Sequence, residues 1–440
     1  MTILNNSLAK KIFSNHFLKI FAGGINFLMI ASIARFTNSD ILGEFTTIYA
    51  AIMLVSSFTF WGLADGFILL CKDFDINILL ANSAAVILVN WLLSSIVVFN
   101  LFYNYEWTAR LLFISIIFSF LIHNLFSTFL RSKEKYNGSI YFNAITVNII
   151  FLSSIILSVF LEVNLDTNTL LWMYACSHFL SLVGCFIYGL VIGILKMRFL
   201  SPKLISKKSI IRIYKHNTPL FISDILNNFV GTIDILILNR FLSFSDIAIY
   251  KVASTFGKLI KISLSSFANF MLPELSKMIV TSPKGIHKYI ISNYKYIFII
   301  ASVFIATIAL SGDFVIDMIF GNKYQISYFL LLGLLIGYSF NNLSGPNGTI
   351  ILAMGKLNLL LKIDIITNIS GIISLFMFTW IFGIWGSIAA NVLMLVSYNV
   401  LKNFYACNLL SSYKQITRNI YITWFITIIF ISLVYYIKII

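Results

Sequence analysis

IARFTNSDILGEF (33–45) and LNRFLSFSDIAIY (238–250) are one short text written twice, about 205 residues apart. Arg35-Phe36 matches Arg240-Phe241, and Ser39-Asp40-Ile41 matches Ser245-Asp246-Ile247 after one inserted residue. Each copy closes one long apolar run and opens the next. An internal duplication of this length makes two similar halves the first expectation for the fold.

The apolar runs fix what each half is made of. Before the midpoint they cover 12–34, 44–70, 77–102, 109–131, 139–162 and 169–196; after it, 214–240, 246–275, 292–319, 326–353, 359–381, 384–408 and 416–438. Each is long enough to cross about 30 Å of hydrocarbon at 1.5 Å per residue. Strands crossing a bilayer need only about ten alternating residues each. These runs are continuous and longer, so the fold class expected is an all-α membrane protein, because a helix satisfies its own backbone hydrogen bonds in lipid. Six runs per half put both copies in the same orientation, giving two pseudo-symmetric six-helix lobes around a central cavity, with a thirteenth, extra C-terminal helix. The expected division is 1–197, a basic linker 198–216, 217–410, and 411–440.

Composition agrees. Of 440 residues 59% are hydrophobic and 11% charged, and mean hydropathy is +0.93. No polar stretch is long enough for a separate soluble domain. The N-terminus carries the basic flank of a signal peptide, but its apolar run continues to Ala34 without a small-residue cleavage site, so it reads as a retained first span. Cys71, Cys176, Cys185 and Cys407 are scattered through apolar segments without paired or ligand spacing, and read as small hydrophobes.

The net charge of +15 raises the question of nucleic acid. Its distribution answers it. With a cytoplasmic N-terminus, 23 of the 31 Lys and Arg fall on the inside, Arg131 and Lys402 among them, and 5 on the outside, which is the positive-inside pattern and accounts for most of the charge without nucleic acid. The remaining three, Lys251, Lys258 and Lys261, fall within the eighth run. The linker SPKLISKKSIIRIYKHNTP (201–219) mixes Ile with Lys and Arg; it reads equally as a segment lying on an anionic leaflet or as a solvated basic loop.

DILGEFTTIYA (40–50), SDIAIYKVASTFGKL with FANFMLPELSK (245–277), and the long text from IFGNKYQISYF to GSIAANVL (319–393) resemble the O-antigen flippase (Wzx-like) and polysaccharide exporter families of the multidrug/oligosaccharidyl-lipid/polysaccharide (MOP) superfamily. The resemblance runs over essentially the whole chain. It implies a bacterial inner-membrane protein whose two lobes open alternately to either side. The cargo it implies is an undecaprenyl-diphosphate-linked oligosaccharide moved to the outer leaflet for O-antigen, capsule or exopolysaccharide synthesis. It also implies membrane lipids, an H+ or Na+ coupling ion, and a polysaccharide polymerase and chain-length regulator as partners. The extra C-terminal run departs from the usual twelve-span plan.

An ionisable side chain inside a span is costly and marks a site by default. Lys251, Lys258 and Lys261 are spaced by seven and three and share one helical face, a cationic stripe suited to a diphosphate or to static pairing with carboxylates. Asp224 and Asp234, with Asn227 and Asn228 between them, lie in the seventh run at the depths of Lys261 and Lys251. They suggest ion pairs that break on ion or proton arrival, or that never move. Pro219 is expected to open that run. The repeat offset sets Lys19 against Asp224, suggesting a state-dependent gate. Asp65, in WGLADGF (61–67), lines the lumen or marks a local turn beside Gly62 and Gly66. His123 and His178 stand mid-span and read more simply as satisfied core histidines.

No Walker A sequence, HExxH or Cys/His cluster occurs in the sequence, so no cofactor and no metal are expected, and motion falls to an ion or substrate gradient. Three rivals stand beside the flippase. An ion-coupled multidrug exporter shares the two-lobe plan but should hold carboxylates unmatched by lysines. A peptidoglycan-precursor flippase usually has more spans. A membrane-embedded polymerase or ligase wants a large polar outer loop, which the sequence lacks.

Overall fold

The computed structural model describes residues 6–71, 73–103, 105–195, 201–281, 285–410 and 413–439; stretches such as 6–16, 226–231, 258–270 and 293–297 are described by backbone alone. The described chain is almost wholly helical. Ten helices among the described residues are long and apolar enough to cross a membrane, and the protein is multi-pass. Its contacts divide into two compact units, 1–236 and 237–440.

The first unit comprises α1 (Asn6–Phe36), α2 (Ser39–Phe60), α3 (Leu63–Leu70), α4 (Ile76–Leu101), α5 (Trp107–Ser132), α6 (Tyr136–Ile140), α7 (Val147–Phe160), α8 (Thr167–Val191) and most of α9 (Lys207–Phe241). A π-helical stretch, Tyr141–Thr146, joins α6 to α7. Its core is aromatic: Phe45 of α2 meets Phe151 of α7 and Tyr174 of α8 at centroid separations of 5.9 and 6.2 Å, Tyr49 meets Tyr174 at 5.5 Å, and Phe151 meets Tyr174 at 5.4 Å. Asp75 starts α4 by accepting hydrogen bonds from the amides of Asn77 and Ile78, at 2.9 and 3.3 Å. Asp75→Ala should cost about 1 kcal/mol, read as faster amide exchange confined to the first turn of α4.

Two expectations are corrected in this unit. The run 44–70 is not one helix, because Trp61 (φ 50°) and Gly62 (φ 65°) are both left-handed and separate α2 from α3. Pro219 does not open its helix either. The helix begins at Lys207, within the basic segment, and Pro219 lies inside it.

The second unit holds the end of α9, α10 (Phe244–Thr281), α11 (Ile286–Phe320), α12 (Gln325–Leu343), α13 (Asn347–Ala353), α14 (Leu357–Leu409) and α15 (Tyr413–Ile439). The 53 residues of α14 would reach about 80 Å as one rod. They do not run straight. Gly383 leaves helical geometry at φ 58°, ψ −138°, and the segments on either side fold back: a Cβ at Gly386 would touch the carbonyl of Phe378, one at Gly371 the side chain of Met394, and Lys402 stands against Asp364. The two arms are therefore an antiparallel hairpin, as the separate runs 359–381 and 384–408 anticipate. The last run forms α15, which carries a membrane-length segment, Thr417–Lys438, and packs on α12, where the Trp424 indole donates to the carbonyl of Ile336.

Candidate functional site

In the first unit the helix break builds the site. Two consecutive left-handed residues turn α3 flush onto α9, and the glycines leave no room for anything larger. A Cβ at Gly62 would lie 2.6 Å from the Phe221 amide nitrogen and 2.8 Å from the Asn217 carbonyl, and one at Gly66 would lie 2.0 Å from Asn217 Oδ1. The Trp61 indole stacks on Phe221 at 4.0 Å and meets Tyr214 edge-on at 5.6 Å. Asn217 is fully buried; its Oδ1 faces His216 Nδ1 at 3.1 Å, and its Nδ2 has no hydrogen-bond partner among the described residues.

Three charges converge beside this seam. Asp65 stands exposed in the first turn of α3, where a helix N-terminus favours an anion. Arg131, in the last turn of α5, reaches back to donate to the Ala64 carbonyl at 3.1 Å and the Thr128 hydroxyl at 3.3 Å. Asp224 of α9 is half-buried within electrostatic range of both Asp65 and Arg131. The backbone contact pins the guanidinium while its charge acts on Asp224. Among the described residues the cluster counts two carboxylates to one guanidinium, a balance that a proton or small cation would even out.

The structure thereby brings together two of the residues singled out in the sequence, Asp65 and Asp224, and adds Arg131, which the charge count puts on the inside at the end of its run. Lys19 is exposed on α1. Lys251 and Asp234 are half-buried; the Lys251 carbonyl accepts from the hydroxyls of Ser254 and Thr255, and Asp234 Oδ1 accepts from the amide of Ile235. The side chains of Lys258, Lys261, Asn227 and Asn228 lie outside the described residues.

His123 and His178 depart from the satisfied-core expectation. Both are buried, their rings sit 5.9 Å apart between α5 and α8, and none of their four ring nitrogens has a hydrogen-bond partner among the described residues. Tyr174 and Phe120 close around His178 at 4.6 and 5.6 Å.

The second unit holds a polar centre that sequence reading missed. Between α12 and α13 the chain breaks at Ser344-Gly345-Pro346, and a buried amide network spans the break. Asn347 Nδ2 donates to Asn399 Oδ1 (3.2 Å) and Asn403 Oδ1 (2.9 Å), and Asn399 Nδ2 to Asn341 Oδ1 (2.9 Å). The Tyr413 hydroxyl donates to the Ser344 carbonyl at 2.6 Å. Beside it Lys402, which the charge count puts on the inside, is buried: its Nζ is 3.9 Å from Asp364 Oδ1 and 3.5 Å from the centre of the Tyr398 ring. The lone signal was a lysine in an otherwise apolar run beside NFYACN (403–408).

The fold is helical throughout the described residues, with a broken membrane-length segment in each unit. Among solved structures the chain is similar to one titled lipid II flippase MurJ in an inward closed conformation, with TM-score 0.68 and 14% identity over 96% of this chain and 97% of that one. It is similar to an inward-facing multidrug resistance MATE transporter of the MOP superfamily, with TM-score 0.69 and 13% identity over 89% and 95%. A MOP transporter from Pyrococcus furiosus, titled for its reversed binding-pocket polarity, matches with TM-score 0.59 and 14% identity over 92% and 96%. No family model matches the sequence, and no curated protein does.

Proposed function

We propose that this chain is a secondary transporter that flips an undecaprenyl-diphosphate-linked oligosaccharide from the cytoplasmic to the outer leaflet by alternating access. The observation carrying this reading is the likeness over nearly the full length of both chains to a structure titled a lipid II flippase. The stripe Lys251, Lys258 and Lys261 supports it, since a diphosphate must exchange its water for fixed positive charge. In this reading the lobes are 1–197 and 217–410, the N-terminus is cytoplasmic, the membrane is the bacterial inner membrane, and the wall of the path is drawn from Lys19, Lys251, Lys258, Lys261, Asn227 and Asn228. Asp224, Asp65 and Asp234 serve gating or ion coupling, with H+ or Na+ as the ion and Arg131 holding the carboxylate pair in place.

A second reading, an ion-coupled multidrug exporter, is favoured by one observation: among the described residues the Asp65, Asp224 and Arg131 cluster holds two carboxylates to one guanidinium, and a cationic drug or an ion would each even the balance. A deletion strain separates the two. Under the flippase reading it should lose surface glycan and accumulate lipid-linked repeat units on the inner leaflet; normal glycan and normal lipid-linked pools would overturn that assignment. The Lys19 and Asp224 gate has its own check. Each single swap, Lys19→Asp or Asp224→Lys, should abolish flipping and the double swap should restore part of it; no rescue removes the pairing.

A further inference from the structure

No Asp or Glu occurs between Asp166 and Asp224, a stretch that contains Lys203, Lys207, Lys208, Arg212 and Lys215. The structure holds this basic segment still. Fully buried Asn82 clamps its backbone twice, donating from Nδ2 to the Leu204 carbonyl at 2.9 Å and accepting at Oδ1 from the Ser206 amide at 2.9 Å. The Tyr214 hydroxyl donates to Asn90 Oδ1 at 2.6 Å, and Ile213 is buried beneath. With one face so fixed, the other is fixed outward: Lys207, Ile211 and Lys215 recur every fourth residue, with Lys208 and Arg212 alongside.

Arg212 is already matched, its guanidinium 2.8 Å from Asp73 and 4.8 Å from the Phe74 ring centre. Among the described ion pairs no carboxylate meets Lys203, Lys207, Lys208 or Lys215, and all four are exposed. Ile205 and Ile211, 47% and 55% exposed, stand among them. At 35 residues, about 52 Å, the helix is also longer than the roughly 30 Å of hydrocarbon a crossing needs, and Lys207, Lys208 and Lys215 lie in its first turns.

We propose that residues 202–215 form a docking surface for anionic phospholipid headgroups, with the four unmatched lysines binding phosphate and Ile205 and Ile211 entering the acyl boundary. Charge complementarity selects this occupant, and the apolar pair selects lipid over a purely soluble polyanion. Because the backbone is clamped beforehand, little ordering entropy opposes binding.

The test uses the full chain, reconstituted in equal parts phosphatidylcholine and phosphatidylglycerol, re-extracted, and weighed for retained lipid by native mass spectrometry. Wild type should retain phosphatidylglycerol selectively. The variant Lys203→Gln/Lys207→Gln/Lys208→Gln/Lys215→Gln should lose about tenfold or more of that preference, since each lysine contributes roughly 1 kcal/mol, about fivefold. The same four positions changed to Arg should keep it. No selectivity in wild type, unchanged selectivity in the Gln variant, or equal loss in the Arg variant each overturns the proposal. The readout involves no cargo, so it stands or falls separately from flipping.

Discussion

Lys402→Leu should destabilise the protein by about 3 kcal/mol, seen as a lower thermal midpoint of the purified chain. Lys402 stands 3.9 Å from Asp364, with side-chain exposures of 9% and 20%. Removing one member of a buried ion pair leaves the other charge without its counterion, which costs about 3 to 5 kcal/mol. The lower figure applies because the contact is long and Asp364 keeps a fifth of its surface. Asp364→Leu should cost a similar amount. The double variant Lys402→Leu/Asp364→Leu should recover most of the loss, since two well-packed leucines carry no stranded charge. If the single losses simply add in the double variant, the pair is not coupled and the amide network alone holds this corner.

The location of that pair shows what the sequence conveys and what it leaves out. Both partners lie nineteen residues from the kink at Gly383, about 28 Å along each arm of the hairpin. Apolar runs mark where helices are, and the two-residue gap between 359–381 and 384–408 marked this turn. Runs do not say which faces meet. A basic residue near the end of a run looks like one more inside charge, as Lys402 and Arg131 do in the charge count; only packing of one arm on the other, and of α5 against α3, turns them inward. His123 and His178 are 55 positions apart and face one another only because α5 packs on α8. Asp65 was partly legible, as the glycines around it announced a break, though not that the break closes on α9. Pro219 misled for a simple reason. Proline usually starts a helix or disrupts one, at about 3 kcal/mol in the interior, and here the helix runs on through it.

The close approach of α3 to α9 has the second large consequence. Gly62→Ala should cost about 3 kcal/mol or more, well beyond what its backbone angle alone demands. A left-handed non-glycine residue costs roughly 1 to 2 kcal/mol, and Gly355, at φ 72° with open space around it, isolates that term. Gly62, at φ 65°, adds a collision at 2.6 Å with the Phe221 amide nitrogen, which belongs to a helix backbone and cannot swing aside. Overpacking a tight contact adds about 1 to 3 kcal/mol. Gly66→Ala collides instead with a side chain, Asn217 Oδ1 at 2.0 Å, so Asn217→Ala should relieve Gly66→Ala and leave Gly62→Ala unrelieved. Thermal midpoints of Gly62→Ala, Gly355→Ala, Gly66→Ala and Gly66→Ala/Asn217→Ala decide the matter. Equal losses at Gly62 and Gly355 would mean α3 does not press on α9. Because α3 carries Asp65 and α9 carries Asp224, the same seam sets the spacing of the two carboxylates around Arg131. If the carboxylate pair serves the proposed gating or ion coupling, a substitution that wedges the seam open should weaken it in any molecules that still fold.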